Sequence, residues 1–461
     1  MFSTVKKIHF VGIGGIGMSG IAEILIDQGF SVSGSDLSTN ENTQYLENLG
    51  AVIFYGHQAS NIQDAEVVVY SSAVKVEENP ELQEAIARRI PILKRSEMLA
   101  EVSRMKYTLA ISGTHGKTTT TSMVGLIMIE AGFDPTIIVG GRLKDFGGTN
   151  ARLGNGEWIV VEADEYDRSF LQLTPTIAVV NNIEEEHMDI YQDIDDLHNT
   201  FINFANKVPF YGFVAVCIDE PGVKEIITNI NKKIVTYGLS KNADIKAKNI
   251  VQNARNTEYD LFINNEFVEK VIINVPGLHN IKNSLAAITV ALQIGVDIKT
   301  IVKALSQFSG VYRRFDIKGE VNNIMVVDDY AHHPSEIKAT LDAAKNGWDK
   351  RIIAVFQPHT FSRTQKFYKE FARSFDDADM LIITDVYPAR ELPIEGINGE
   401  LIANFARKYG HKNVVYIQNY EEILDFLKSE IKPNDMIITI GAGSIVKIAD
   451  KLYEYLSKAS N

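Results

Sequence analysis

Cysteine is almost missing from this sequence, with Cys217 alone among 461 residues. That scarcity excludes internal disulfides and any multi-cysteine metal cluster, and it fits a reducing compartment. Cys217 lies in the apolar run Phe213 to Ile218 and reads as strand core, not as a nucleophile. Long hydrophobic runs are missing as well, since no stretch approaches the roughly 20 apolar residues of a membrane span. Lys6-Lys7 ahead of the apolar run from Ile8 has the look of a secretory leader. That run is rich in glycine, carries Glu23 and offers no small-residue cleavage site before Asp27. The expectation is a cytoplasmic protein without membrane insertion. Positive charge is in deficit, 46 basic residues against 59 acidic ones for a net charge of −13. That balance disfavours a nucleic-acid or anionic-membrane surface, and any phosphate site must be local. The sequence carries no low-complexity segment and no strict internal repeat.

What is present is a soluble globular chain, 45% hydrophobic and 23% charged, whose length implies about three domains. It is organised around Gly113, Thr114, His115, Gly116, Lys117, Thr118 and Thr119. Ahead of them Tyr107 to Ile111 reads as a buried strand. Behind them Thr120 to Ala131 reads as a helix stopped by Gly132. A strand, a glycine turn and a helix start gather backbone N–H groups and a positive helix end around one small volume, which suits phosphate oxygens. Lys117 can then reach the terminal phosphates as a point charge, and the Thr118 hydroxyl can join the shell of a magnesium ion. The common phosphate-loop pattern has a glycine five residues before Gly116, where this chain has Ile111; its glycine is Gly113. The spacing fails while the mechanics survive, and the run reads as an ATP site.

At the start of the chain, the strand Ile8 to Val11 leads into Gly12-Ile13-Gly14-Gly15-Ile16-Gly17. A helix from about Ser19 to Gln28 and a strand from Ser31 to Gly34 follow, ending at Ser35 and Asp36. This is a βαβ unit with a glycine fingerprint and an acid about 20 residues on, a geometry for a pyrophosphate and a ribose. Taken alone it predicts NAD. A strand Val67 to Tyr70 ending in Ser71 and Ser72, a strand Pro91 to Leu93 and a helix Ser96 to Arg104 complete a first domain.

Two later strands, Trp158 to Val161 and Ile177 to Val180, end in polar residues. Glu162, Asp164 and Glu165 follow the first, and Asn181 through Glu186, His187 and Asp189 follow the second. Ligands of open parallel sheets bind beyond the carboxyl ends of strands, so the loop, Glu162 and His187 are expected to converge. Lys233 to Val275 alternates apolar and polar residues with a turn at Asn264-Asn265 and reads as an antiparallel addition. A helix carrying Asn283 follows. The last part repeats a strand–helix rhythm five times, with strands Ile324 to Val327, Arg351 to Phe356, Met380 to Thr384, Val414 to Ile417 and Met436 to Ile440. Their ends carry Asp328, Asp329, Tyr330, His332 and His333, then His359 with Arg363, then Asp385 with Arg390. The adjacent His332 and His333 cannot both face one ion without strain, so they read as substrate contacts and not as zinc ligands.

With these residues assembled, the chain resembles the Mur ligases, the family that builds the peptide stem of bacterial cell-wall precursors. The likeness rests on the glycine run up to Gly20, on Ser33 to Asp36 and on Gly113 to Thr120. It continues through Asn150 to Gly154, Glu162 to Glu165, His187 to Asp189, His279 with Asn280 and Asn283, Arg313 to Phe315, and Asp328 to Pro334. It runs nearly end to end. It implies an α/β chain of three domains: a Rossmann-like UDP-sugar domain (1–105), a central P-loop ATPase-like domain (106–315) and a Rossmann-like C-terminal domain (316–461) that meets ATP and an amino acid. The activity implied is the branch that joins L-alanine to the lactyl carboxylate of UDP-N-acetylmuramate, with ATP and two magnesium ions. The first fingerprint, with Gly14, Gly15, Ile16 and Asp36, would then hold a UDP-sugar instead of NAD, together with Ser71, Ser72, Asn150 and His279. Lys117 would bind the β- and γ-phosphates, Thr118 and Glu162 one magnesium, and His187 the second. Asn283 and Arg314 would meet the adenine end of ATP, and Asp329 its ribose. Tyr330, His332, His359 and Arg363 would face the incoming amino acid, and Lys117, Glu162, His187, His332 and Arg363 would carry the chemistry.

Two positions depart from the family pattern, Tyr166 where many relatives carry serine and Thr360 where some carry arginine. Thr200 to Ala205 lacks the modified lysine of other branches, as the alanine-adding branch typically does. The alternatives are a sister ligase that adds a whole tripeptide in wall recycling, an NAD-dependent oxidoreductase, and a nucleotide-driven switch. Monomer and homodimer both stay open.

Overall fold

The computed structural model describes residues 5–459 apart from 72, 142, 143, 145–148, 187, 189 and 390. Ser72, His187, Asp189 and Arg390 of the sequence reading therefore lie outside the described residues. No helix among the described residues is long and apolar enough to cross a membrane.

The first sheet has five strands, β1 (Lys7–Val11), β2 (Ser31–Asp36), β3 (Val52–Tyr55), β4 (Val67–Tyr70) and β5 (Ile92–Lys94). All pair in parallel, in the order β3-β2-β1-β4-β5. The order reverses beside β1, which opens a crevice at its carboxyl end. Helix α1 (Ile16–Asp27) starts there, three residues earlier than the sequence pattern predicts. Gly15, extended at φ −65° and ψ 141°, is its N-cap, so Gly17 falls inside the helix. Helices α2 (Glu41–Asn48), α3 (Pro80–Ala87) and α4 (Arg95–Ser103) complete the layer. Asn40 caps α2 and Asn79 caps α3, each side chain accepting backbone N–H groups of the first turn.

The central sheet takes its strands from β6 (Tyr107–Ser112), β7 (Thr136–Ile138), β8 (Ala151–Arg152), β9 (Trp158–Glu162), β10 (Ile177–Val180), β11 (Phe213–Cys217) and β12 (Ile234–Gly238). β13 (Ile245–Asn253), β14 (Asn256–Ile263) and β15 (Glu266–Ile273) extend it on the β12 side. Strand β6 lies between β9 and β10 and is parallel to both, so their three carboxyl ends share one edge. Helix α5 (Lys117–Glu130) begins at Lys117 itself, because Gly116, left-handed at φ +78°, is its N-cap. Helix α6 (Ile194–Ala205) buries Leu197, Phe201 and Phe204 on one face, each worth about 1.5–3 kcal/mol of burial. Helices α7 (Pro221–Ile227), α8 (Leu278–Gln293) and α9 (Ile298–Gln307) follow.

The antiparallel reading of Lys233 to Val275 is corrected for its first part, β12 and the start of β13. β12 pairs in parallel with β11, and β13 starts in parallel with β12, Tyr237 facing Ile245 and Gly238 facing Lys246. Alternation marks a strand with one wet face and says nothing about its direction. The turn at Asn264-Asn265 is there, both residues at positive φ between β14 and β15.

The third sheet holds β16 (Asp316–Val321), β17 (Ile324–Asp329), β18 (Arg351–Phe356), β19 (Met380–Ile383), β20 (Val414–Tyr416) and β21 (Asp435–Ile440). Its order is β16-β17-β21-β18-β19-β20, with β16 antiparallel to β17. The sequence reading missed β16, and β21 inserts between β17 and β18. Helices α10 (Pro334–Gly347) and α11 (Phe361–Ala372) flank the sheet. By packing, the chain forms two compact units. One holds the chain up to Lys248 with Asp260–Val271 and Lys282–Phe308. The other holds Asn249–Tyr259, Ile272–Ile281 and the chain from Ser309.

A buried carboxylate ties the first sheet together. Glu81, on α3, is fully enclosed. Its carboxylate accepts the Ser35 hydroxyl at 2.6 Å, the Asn61 amide at 2.6 Å and the Gln58 N–H at 3.2 Å, with His9 Nε2 at 3.5 Å. Burial pushes this carboxyl up, but the groups of His9, Ser35 and Asn61 outweigh it and hold it below its ordinary value. The end of β2, from which Asp36 projects, is fixed by this knot. Glu81→Gln is expected to lower unfolding stability at neutral pH by about 2 kcal/mol. A carboxyl depressed in the fold contributes stability above its unfolded value of 4.5 and loses it as pH falls through the folded value. Thermal unfolding of both proteins at neutral pH and at about pH 3.5 should therefore show the difference narrowing in acid; a constant difference would mean that Glu81 is not ionised in the fold.

Candidate active site

The loop after β6 is held from behind by the end of β10. Thr114 N–H donates to Asn182 O at 3.2 Å, and His115 N–H donates to Asn182 Oδ1 at 2.7 Å. The Thr114 hydroxyl accepts the Glu184 N–H at 2.9 Å. Gly113 has φ +134°, and a Cβ there would lie 3.0 Å from Asn181 Cβ and from Asn182 N. A Cβ on Gly116 would overlap Asn283 Oδ1. Both glycines are thus required by close approach as well as by φ. Asn283, on α8, packs against Gly116 and accepts the Thr120 hydroxyl at 3.2 Å, at the base of the loop. Thr119, like Thr120, is buried in the first turn of α5.

Lys117 folds back across this loop. Its ammonium donates to Gly113 O at 2.7 Å and reaches both Glu165 oxygens, at 2.8 and 3.1 Å. Burial alone would lower the lysine pKa, but Glu165, Asp164 and Glu186 raise it further, so the ammonium stays charged. The Glu165 carboxyl is pushed up to about 7, because burial outweighs the pull of Lys117. Glu162, at the end of β9, is pushed up by burial against the Thr118 hydroxyl, Lys117 and the Gly140 N–H. Its Oε1 is buried without a hydrogen-bond partner among the described residues. Several carboxylates and one lysine around a cradle of N–H donors leave an excess of negative charge. Such a site can accept a polyphosphate only with further cations, and the unpartnered Glu162 Oε1 is an oxygen donor of the kind magnesium takes.

At the first fingerprint, Gly14 N–H donates to Asp36 Oδ2 at 2.8 Å, and Gly12 and Ile13 donate to Ser35 O. A Cβ on Gly14 would meet Asn40, Thr43 and Asp36 within 2.9 Å. Ile16 is 43% exposed at the helix start beside Gly15. Ser71 follows β4 next to Gly12. Asn150, just before β8, donates its amide to Ile16 O, bringing the central domain onto the fingerprint. Arg95, which the sequence reading did not single out, lies against Gly17. At the other end of the central strands a groove of about 680 Å³ is lined by Arg104, Lys106, Tyr107 and Tyr211 among others. Lys106 there donates to Thr136, Gly154 and Gly156, so its charge is already spent on the protein.

The C-terminal sheet assembles its own cluster. His332 Nδ1 lies 3.0 Å from Tyr330 O, and its ring meets those of Tyr330 and His359 edge-on. His359 stacks on Tyr387 with ring centroids 5.6 Å apart, and Arg363 reaches His359 Nδ1 at 3.3 Å. Burial, with His332 and Arg363 nearby, pulls His359 down to about 4, so it is neutral near pH 7. Both Arg313 and Arg314 lie over the Tyr330 ring, and Arg314 pairs with Glu336 at 3.2 Å. Asp329 accepts the Phe315 and Ala331 N–H groups, each at 2.8 Å. Burial pushes its carboxyl up to about 6. His333 turns away, its ring against Phe367. His279 folds over Gly277 at the start of α8. Thr360 has φ +66° and donates its N–H to Tyr387 O.

Three family models cover the chain in order. The Mur ligase family catalytic domain matches residues 7–107, the Mur ligase middle domain 111–291 and the Mur ligase glutamate ligase domain 313–443. The chain belongs to the Mur ligase family. Among its relatives, the UDP-N-acetylmuramate–L-alanine ligase of Geotalea uraniireducens is 51% identical over 99% of both chains. The solved UDP-N-acetylmuramate–alanine ligase of Thermotoga maritima superposes with a TM-score of 0.84 at 29% identity, over 98% of this chain and 99% of that one. A murein peptide ligase from Psychrobacter arcticus reaches 0.71 at 26% identity, over 98% of each.

In this Mur ligase the local motifs were readable in sequence, while Glu165, Asn182, Tyr387 and Arg95 were not assigned as contacts. Their partners are distant in the chain, and only the acidic run after β9 offered a signal for one of them. The loop geometry makes a paired prediction. Gly116→Ala forces a methyl into Asn283 at φ +78°, whereas Gly132→Ala meets nothing within 4 Å at φ +76°. Both should lose about 1–2 kcal/mol to backbone strain. Only Gly116→Ala should also lose ADP binding, by about 100-fold or more in titration calorimetry. Equal ADP affinities in the two variants would contradict this placement of the loop.

Proposed function

We propose that this Mur ligase joins L-alanine to the lactyl carboxylate of UDP-N-acetylmuramate, driven by ATP and through an acyl phosphate. The observation that carries the substrate assignment is the 51% identity, along the full length, to a UDP-N-acetylmuramate–L-alanine ligase. The mechanism is supported by the P-loop lysine and by the edge shared by β6, β9 and β10. The domains are read as 1–105 for the UDP-sugar, 106–315 for ATP and 316–461 for the amino acid, in a cytoplasmic enzyme.

In this reading the loop N–H groups and Lys117 hold the β- and γ-phosphates, with Lys117 released from Glu165 to do so. The lactyl carboxylate attacks the γ-phosphorus, the bond to ADP breaks, and an acyl phosphate remains. Magnesium, when bound, neutralises phosphate charge during transfer; Thr118 and Glu162 would hold one ion, and the second is assigned to His187. Arg363 offers a fork of donors for the amino-acid carboxylate, and neutral His359 with His332 and Tyr330 borders the amine. The uncharged amine attacks the acyl carbon, phosphate leaves and the amide forms. The protein's contribution is positioning and charge neutralisation.

Lys117→Ala is expected to reduce kcat/KM by a factor corresponding to about 3 kcal/mol or more, with UDP-N-acetylmuramate binding nearly unchanged. Wild-type turnover in that variant would remove the lysine from the chemistry. The reaction itself is tested with both lactyl carboxylate oxygens isotopically labelled. One labelled oxygen should appear in inorganic phosphate, with ADP as the other nucleotide product. Pyrophosphate and labelled AMP would replace the acyl phosphate by an adenylate. Phosphate release with the tripeptide but not with L-alanine would favour the recycling ligase, a reading kept by the likeness to the murein peptide ligase.

A further inference from the structure

We infer that Tyr237 is a positioning residue for the phosphate-binding loop, acting through a buried relay of Asn181, Thr120 and Asn283. The inference rests on the reading of that loop as the ATP site. Tyr237 sits on β12, with β11 and β10 between it and the loop strand β6. It is 1% exposed, and its hydroxyl donates to Asn181 Oδ1 at 2.8 Å. Asn181 Nδ2 then faces Thr120 Oγ1 at 3.1 Å and the His115 carbonyl at 3.5 Å. The Thr120 hydroxyl in turn donates to Asn283 Oδ1 at 3.2 Å.

The direction of this relay follows from its acceptors. If the Asn181 amide turned over, its oxygen would face the His115 carbonyl, acceptor against acceptor. Thr120 would then spend its proton on Asn181 and have none for Asn283. The tyrosine hydroxyl, donating into Asn181 Oδ1, closes the arrangement at its far end. Removing it would leave a buried carbonyl oxygen without that donor, the situation in which a polar side chain shifts or rotates.

The relay packs directly on the loop. A Cβ at Gly113 would lie 3.0 Å from Asn181, and one at Gly116 would lie 3.3 Å from Asn181 Nδ2 and overlap Asn283 Oδ1. The two glycines have no side chains through which the protein could hold them. Asn181 and Asn283 are the walls against which they rest, and Tyr237 fixes how Asn181 is turned. The tyrosine thereby determines whether the loop N–H groups point where phosphate oxygens sit, while touching no substrate itself.

The test uses the full chain and titration calorimetry with ADP and, separately, with UDP-N-acetylmuramate. Tyr237→Phe keeps the ring and removes only the hydroxyl. ADP affinity should fall about ten-fold, with the KM for ATP rising in step and UDP-N-acetylmuramate affinity unchanged. Thr120→Val cuts the relay one step on and should weaken ADP by a similar factor. The double variant should be no weaker than either single one, because both break the same chain. Additive losses, an unchanged ADP affinity in Tyr237→Phe, or an equal loss of UDP-N-acetylmuramate affinity would each overturn the inference. If Tyr237→Phe does not fold, Thr120→Val alone decides, since unchanged ADP affinity there overturns the relay. A wild-type chain that binds no adenine nucleotide would instead overturn the ATP reading of the loop.

Discussion

A half-buried ammonium held by a buried carboxylate is the constraint on which the centre of this protein depends. Lys117 is placed by the turn at Gly116, and the turn by two walls, Asn181 at the carboxyl end of β10 and Asn283 on α8. An ion pair of this kind is a poor source of stability, because both partners lose water. It is a sound way of storing a cation. Glu165 keeps the lysine compact and charged, and in the proposed reaction a polyphosphate would bring more negative charge than the carboxylate it displaces.

Two glutamates show how placement alone sets the state of one side-chain type. Glu81 and Glu165 are both removed from water. Glu81 is surrounded by donors from His9, Ser35, Asn61 and Gln58, with no second carboxylate among the groups that shift it, and stays below its ordinary value. Glu165 has the lysine but also Asp164 and Glu186, and rises to about 7. The first is suited to permanent architecture. The second, poised near neutrality, is suited to a place where charge arrives and leaves.

The parts legible in the sequence were those whose causes are local. The strand, glycine turn and helix of both nucleotide-type motifs, the acidic run after β9 and the histidine cluster after β17 were placed on the right elements. Helix starts were not, because at α1 and α5 a glycine serves as N-cap and the residues after it enter the helix early. Strands β3 and β16 were missed, both being partly exposed and weakly patterned and β3 also short. The direction of β12 was misread because alternation carries no direction. The relay from Tyr237 could not be read at all, since nothing in a stretch such as Thr236-Tyr237-Gly238 reports a partner 56 positions away.

The place of β21 has a consequence for how the chain comes into being. It is a fully buried strand at the middle of its sheet, pairing with β17 on one side and β18 on the other, and Arg351 grips Asp435 at its start with two bonds of 2.8 and 2.7 Å. Strands β16 to β20 therefore leave the ribosome before the strand that joins them exists. Until it arrives, β17 and β18 present unpaired inner edges and apolar faces. The C-terminal sheet can close only after synthesis has passed Ile440, whereas the first sheet holds all its strands by Lys94. The C-terminal sheet thus stays open over a longer stretch of synthesis than the first, and protection of its inner edges matters more there.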